Sequence, residues 1–298
     1  MADLTVADEV WARQSEWSQA ANRMKASIDR ARTTILILTV GGAVLATAAA
    51  AVASSAPWAG SMLAMASAVS VGLVAVLRPR TTGPVLHRWT RARAVAEALK
   101  SEVYLYLARS GGFAGSDRHT RLAGTTDEVL RDAADLLPQT VGITAVRREL
   151  PAVTDAISYF PVRVDSQLNG FYRLRAHAIQ QRLTLFRRLE VLLSLAGVVL
   201  AAFAAAYPQA GVGPWVAVVT TATAAVATHV AAGRYDYQLV EYLRTADELS
   251  RILRDATHAT STDVLDELVQ RAERIISIQN QGWMAKLSRT PEAEATGS

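Results

Sequence analysis

Cysteine is absent from the 298 residues, which excludes disulfides and thiolate metal sites and leaves the redox compartment open. Aromatic residues are sparse at 6% and charged residues at 19%, whereas 51% of the chain is hydrophobic. An apolar surplus with so few rings fits Ala/Val/Leu-rich membrane helices better than one large soluble core. Lysine is scarce as well: 28 of the 31 basic residues are arginine, a bias that a GC-rich genome also produces. Chemistry-bearing motifs are missing too. There is no Walker-type phosphate loop, Gly-x-Ser-x-Gly elbow or His-Glu-x-x-His pair. His87, His119, His177, His229 and His258 are scattered, and no two have metal-ligand spacing on a helix. Neither a cofactor nor a metal is expected, and the chain reads as a non-enzyme.

What the sequence does have is two long stretches without charge, Thr33 to Leu77 and Val191 to Gly233. Each is about twice the ~20 residues that one helix needs to cross a bilayer. Each also carries turn chemistry near its middle, Ser54 to Gly60 around Pro57, and Tyr207 to Trp215 around Pro208 and Pro214. Two membrane hairpins follow, with spans near 34–53, 61–77, 190–207 and 214–232. A soluble buried hairpin would have to accommodate the same charge-free length, which soluble domains do not show. Ala51 to Ala56 looks like a processing site, but the segment before it is too long and too acidic for a signal peptide.

Orientation comes from the flanks. The hairpin tips hold no Lys or Arg, while Arg13, Arg23, Lys25, Arg30 and Arg32 precede the first span. Arg78, Arg80, Arg88, Arg91 and Arg93 follow the second, and Arg182, Arg187 and Arg188 precede the third. The positive-inside rule puts these flanks and both termini in the cytoplasm, with the arginines against anionic lipid headgroups. No aromatic-interleaved basic patch points to nucleic acid.

The two hairpins are copies of one unit. Trp17, Ala21, Met24, Ile28 and Ala31 recur as Tyr172, Ala176, Ile179, Leu183 and Phe186, each 155 positions later. Val85, Trp89, Ala92, Ala96, Leu99, Val103 and Tyr106 recur as Tyr235, Leu239, Tyr242, Ala246, Leu249, Leu253 and Ala256 at an offset of 150. A 4-3 spacing is the seam of a left-handed helix pair, so each hairpin is expected to continue as an antiparallel cytoplasmic stalk. Both copies start inside, making them parallel repeats. The fold class is therefore all-α and polytopic. The first repeat covers 1–110 with stalk helices 8–33 and 85–109. A linker with short helices covers 111–157, including an acid-started helix from Thr126 to Leu137. The second repeat covers 158–287 with stalk helices 162–189 and 233–258 and a closing helix 262–287. A disordered tail follows at 288–298. Pro79 and Pro84 should interrupt the helix that leaves the second span.

Small residues recur at four-residue spacing in every span: Gly42, Ala46 and Ala50; Ala64, Ala68 and Gly72; Gly197, Ala201 and Ala205; Ala224, Thr228 and Ala232. Such rows favour close helix association in lipid. His229 is the one ionisable side chain inside a span, either an interfacial packing residue or a gating one. Thr221 and Thr228 lie seven apart on one face, and either bond their own backbone or line a pore. Glu97, Glu102, Asp247 and Glu248 stand beside arginines and read as solvated ion-paired faces rather than paired catalytic acids.

Tyr159, Arg163-Val164, Gln167-Leu168, Phe171-Tyr172 and Ala176 together resemble the opening of SLATT domains, two-transmembrane modules associated with SMODS nucleotidyltransferases and SLOG nucleotide sensors. Leu268-Val269, Glu273, Ile276, Gln279-Asn280 and Trp283 resemble their closing signature. Gly170 departs from the family, inserted where an aromatic follows the Gln-Leu-Asn stretch. The N-terminal copy, with Trp11, Gln14, Trp17, Ala21, Lys25 and Arg32, resembles a sister subfamily that precedes the first in tandem proteins. The resemblance implies a bacterial inner-membrane effector that oligomerises into a pore or perturbs the bilayer in nucleotide-signalled antiphage defence. Its implied partner is a nucleotidyltransferase or nucleotide-sensor protein. The alternative is a membrane-anchored scaffold whose stalks dock a soluble partner without conducting anything.

Overall fold

A computed structural model describes residues 5–288, with side chains through Ser277. The tail expected from 288 onward lies outside the described residues, apart from Ser288 at the end of the last helix. Every regular element among the described residues is helical: α1 (Val6–Val52), α2 (Pro57–Leu77), α3 (Gly83–Ala108), α4 (Arg118–Asp132), α5 (Ala156–Tyr159), α6 (Arg173–Ala206), α7 (Gly213–Gly233), α8 (Tyr235–Thr257) and α9 (Thr262–Ser288).

Local chemistry sets the ends of these helices. Thr5 opens α1 with a reciprocal cap: its Oγ1 accepts from the Asp8 amide at 3.3 Å, while Asp8 Oδ2 accepts from the Thr5 amide at 3.2 Å. Pro57 takes the first position of α2, where its missing N–H costs nothing. Pro79 stops the same helix as expected, diverting Arg78–Thr81 into a 3-10 turn before α3 begins at Gly83. The second copy lacks that proline and breaks differently. Arg234 adopts a left-handed backbone (φ 47°) between α7 and α8, a conformation that disfavours side chains with a Cβ. A Cβ on the neighbouring Gly233 would sit 2.6 Å from the Tyr235 ring, so this corner requires glycine there.

The helix expected from Thr126 starts earlier, at Arg118, because Leu122 and Thr126 together supply its buried face. A 3-10 segment, Ala134–Gln139, follows it. From 143 to 151 the chain has no regular structure. Helical structure then resumes at Ala156, with two π-helical turns, Phe160–Asp165 and Leu168–Tyr172, ahead of α6. Gly170 lies in the second of these. A π turn absorbs one surplus residue without unwinding a helix, and Gly170, which the resemblance reads as an insertion, falls in such a turn. Beyond it Tyr172, Ala176, Ile179 and Leu183 are all buried, so the repeat spacing is recovered.

The chain divides into two compact units that cut across the repeats. The helical unit combines Met1–Ala26, Gly83–His177 and Gln238–Ser298; the span unit combines Ser27–Thr82 and Ala178–Tyr237. In the span unit, four helices are long and apolar enough to cross a membrane. The first hairpin is tightly joined. Ser67 donates to the Gly42 carbonyl at 2.9 Å in a buried bond, and the site of a Gly42 Cβ lies 3.4 Å from Ser70 Cβ. A Gly60 Cβ would lie 3.1 Å from Ala53 Cα and 3.2 Å from the Ala49 carbonyl. The second hairpin packs Gly197 near Val219, with Val218, Ala222 and Val226 forming the buried face of α7. Elsewhere the spans turn apolar side chains outward, among them Met65, Val69, Val71, Val191, Leu195 and Val198, as a lipid solvent requires.

Candidate functional site

The helical unit is held around a buried charge network. Arg163, in the first π turn, is 1% exposed, and Glu273, on α9, is 3% exposed. Their groups meet in a fork: Arg163 Nε donates to Oε1 of Glu273 at 2.8 Å and Nη2 donates to Oε2 at 3.0 Å. Tyr159, fully buried, donates its hydroxyl to the same Oε1 at 2.9 Å. The remaining nitrogen, Nη1, has no hydrogen-bond partner among the described residues. The guanidinium lies instead over the Tyr104 ring, 4.4 Å from its centroid, a cation–π contact strengthened by the dry surroundings. Tyr104 meets Tyr159 edge-on at 6.2 Å and Trp11 of α1 at the same distance. Arg148 covers the far face of Trp11 at 5.1 Å.

Helix α3 adds charge to this core. Arg93 bonds Glu97 at 2.5 Å, with Lys100 one turn further on. Burial opposes ionisation of Glu97, but Arg93, Lys100 and Arg163 outweigh it and hold the carboxyl below the usual range. Glu97 is therefore a buried member of the network, not the solvated residue its sequence context suggested, whereas Arg244–Glu248 and Asp247–Arg251 are exposed helical pairs. Burial, with Arg163 and Arg93, lowers the Lys100 ammonium to about 8, against Glu97 and Glu273. Burial likewise pushes the Tyr159 phenol far up, helped by Glu273, and raises Glu102.

A test at alkaline pH follows. Between about 8 and the ordinary 10.5, an unfolded chain binds a proton at Lys100 that the folded chain does not. Stability should therefore rise with pH across that window. Below it both states are protonated and the burial cost stands in full. Lys100→Met should raise the melting temperature at pH 7 by several degrees and abolish the alkaline gain, read by circular dichroism in detergent.

Most of the seam residues are buried. Trp17, Ala21, Ile28, Trp89, Leu99, Val103, Tyr172, Ile179, Leu183 and Leu249 are buried, while Met24, Leu239, Tyr242 and Leu253 are half-buried. Tyr242 meets Tyr172 and Phe171 edge-on at 5.9 and 6.0 Å. Gln167 is half-buried, and Trp283 lies in α9 beyond the described side chains. Of the span residues, Gly42 is buried in its hairpin and Gly197 half-buried, but Ala46 and Ala201 are exposed. Gly72 is exposed, with nothing within 4 Å of a Cβ built on it, so within this chain it packs nothing. The small-residue rows are thus mostly outward. Close packing uses Gly42, Gly60 and Ser67 instead, because seven-residue rather than four-residue steps face the partner helix.

Thr221 is half-buried and Thr228 exposed, its hydroxyl donating to the Ala224 carbonyl at 2.8 Å. His229 is hydrogen-bonded to the backbone of Arg32 and lies 5.6 Å from the Phe186 ring, which stacks on Tyr235. Three helices of the span unit therefore meet at this histidine. The resemblance singled out Arg163 and Glu273 separately, in the opening and closing signatures, but not their pairing, since 110 residues separate the partners and no periodicity joins them.

This geometry defines a membrane protein of two helical hairpins with a helical domain clamped by one buried ion pair. Residues 159–283 match the family described as SMODS and SLOG-associating 2TM effector domain 1, and that segment belongs to it. Residues 15–121 match a second family, described as protein of unknown function (DUF4231), an arrangement consistent with tandem SLATT-like domains. No curated protein and no solved structure matches the chain.

Proposed function

We propose that this protein is a non-enzymatic effector of the bacterial inner membrane, with both termini cytoplasmic, that oligomerises and permeabilises the bilayer. One observation carries the reading. The Ala64, Ala68 and Gly72 row of α2 is exposed and unused within the chain, although small-residue rows are the means by which helices associate in lipid. Among the described residues the two candidate pore groups of a single copy are already engaged, since Thr228 bonds its own backbone and His229 is packed between helices. Conduction then requires several copies around an axis. Family membership supports a nucleotide-signalled defence setting, with a nucleotidyltransferase or nucleotide sensor as the cytoplasmic partner. A groove of about 550 Å³ lined by Thr184, Arg187, Arg188, Val191 and Leu192 is suited to an anionic headgroup.

Reconstituted into phosphatidylethanolamine–phosphatidylglycerol vesicles, the protein should release trapped dye and cross-link into species larger than two copies. Gly72→Leu should cut release about tenfold while helicity is unchanged. A stable monomer in detergent, with no release under any candidate nucleotide, would overturn this reading. The scaffold alternative draws on exposed Val240 and Leu243 of α8 in the helical unit. It predicts partner capture that Val240→Asp abolishes and Gly72→Leu leaves intact.

A further inference from the structure

The stretch without regular structure, 143–151, has no helix or sheet to satisfy its backbone, yet it is not loose. Side chains of α1 hold it. Trp11 Nε1 donates to the Glu149 carbonyl at 3.1 Å, the Val146 amide donates to Ser15 Oγ at 3.1 Å, and Gln19 Nε2 donates to the Thr144 carbonyl at 3.0 Å. Arg148 Nη2 donates to Gln14 Oε1 at 2.7 Å, and its guanidinium covers Trp11. The order is antiparallel: going up α1 from Trp11 to Gln19 means going back along the segment from Glu149 to Thr144. Eight helical steps rise about 12 Å, and five residues of near-extended chain reach up to ~17 Å, so the two match with the segment drawn out.

The division of burial is informative. Gln14 and Ser15 are buried polar residues whose partners lie on the segment, whereas Val146, Arg147, Arg148 and Glu149 are exposed. Val146 is 54% exposed, so apolar burial does not anchor this stretch; hydrogen bonds to its backbone do. Such bonds are individually modest, and opening of this kind of segment draws on the low-stability end of a fold.

We propose that residues 143–150 are a displaceable latch, an internal peptide seated on the Trp11–Gln14–Ser15–Gln19 ladder of α1 and released when the protein switches. The proposal rests on the effector reading only for what release achieves. Opening removes Arg148 from Trp11. Trp11 abuts Tyr104, which in turn lies beneath Arg163, so the latch reaches the network that holds α9.

The chain's lack of cysteine makes the test clean. Full-length protein in phosphatidylethanolamine–phosphatidylglycerol vesicles is treated briefly with trypsin, which cuts after Arg147 and Arg148 once the segment lifts. Combining Ser15→Ala with Gln19→Ala should speed that cut at least tenfold while hydrogen exchange in α3 and α9 rises by far less. S15C with V146C, oxidised, should suppress the cut, and reductant should restore it. Unchanged cutting in both variants, or equal loosening of α3 and α9, would overturn the latch. Dye release should rise in the alanine variant and fall in the locked one. Cutting that follows the latch with no dye release anywhere would uphold the latch and remove the effector reading.

Discussion

Replacing Glu273 by alanine is expected to cost the helical unit about 3–5 kcal/mol, because it strands Arg163 as an unpaired buried cation. The loss is not the worth of the pair itself. Two charges removed from water recover little more than their desolvation when they meet, so deleting one partner is far worse than deleting both. Arg163 is cut off from solvent at 1% exposure, and its Nη1 already lacks a hydrogen-bond partner among the described residues. Tyr159 would lose its acceptor at the same moment. A melting temperature lower by roughly 10 °C, read by circular dichroism in detergent, is the expected outcome. The triple change Arg163→Met, Glu273→Leu, Tyr159→Phe removes the three groups of the fork together and should restore most of that loss. A Glu273→Ala variant as stable as the parent would show that the pair does not hold the unit.

Gly60→Leu should separate the first hairpin. Its nearest obstacles, Ala53 Cα and the Ala49 carbonyl, are backbone atoms of the turn after α1 and of its last helical turn, at 3.1 and 3.2 Å, and backbone does not step aside as the end of a flexible side chain does. A reporter is at hand: the 3.4 Å between the Gly42 Cβ position and Ser70 Cβ is close to disulfide spacing. Gly42→Cys with Ser70→Cys should oxidise rapidly in the otherwise cysteine-free chain. Adding Gly60→Leu should slow that oxidation at least tenfold, measured by the gel shift of a maleimide reagent.

The spans were legible because the bilayer imposes a rule that composition must obey: forty-odd consecutive residues without charge suit hydrocarbon and little else. The tandem repeat was legible because both copies keep the same seam through equal helical geometry. Pro79 marked its break for a local steric reason, and Gly170 falls in a π turn. The features that escaped depend on distant parts of the chain. Glu97 looks like any helix-surface acid until Lys100 and Arg163 are beside it. The segment from 143 to 151 has no periodicity, and its order comes from Trp11, Ser15 and Gln19 more than a hundred residues away.

The helical unit is assembled from three separate stretches of chain, the last of which carries Glu273. During synthesis, Arg163 therefore leaves the ribosome 110 residues ahead of its counter-ion. At roughly 5–20 residues per second, that is an interval of about 5–20 s. Both hairpins are complete and accessible to the insertion machinery before the clamp can close. The order of translation thus separates entry into the membrane from completion of the helical unit, and a message truncated ahead of α9 would yield inserted but unclamped protein.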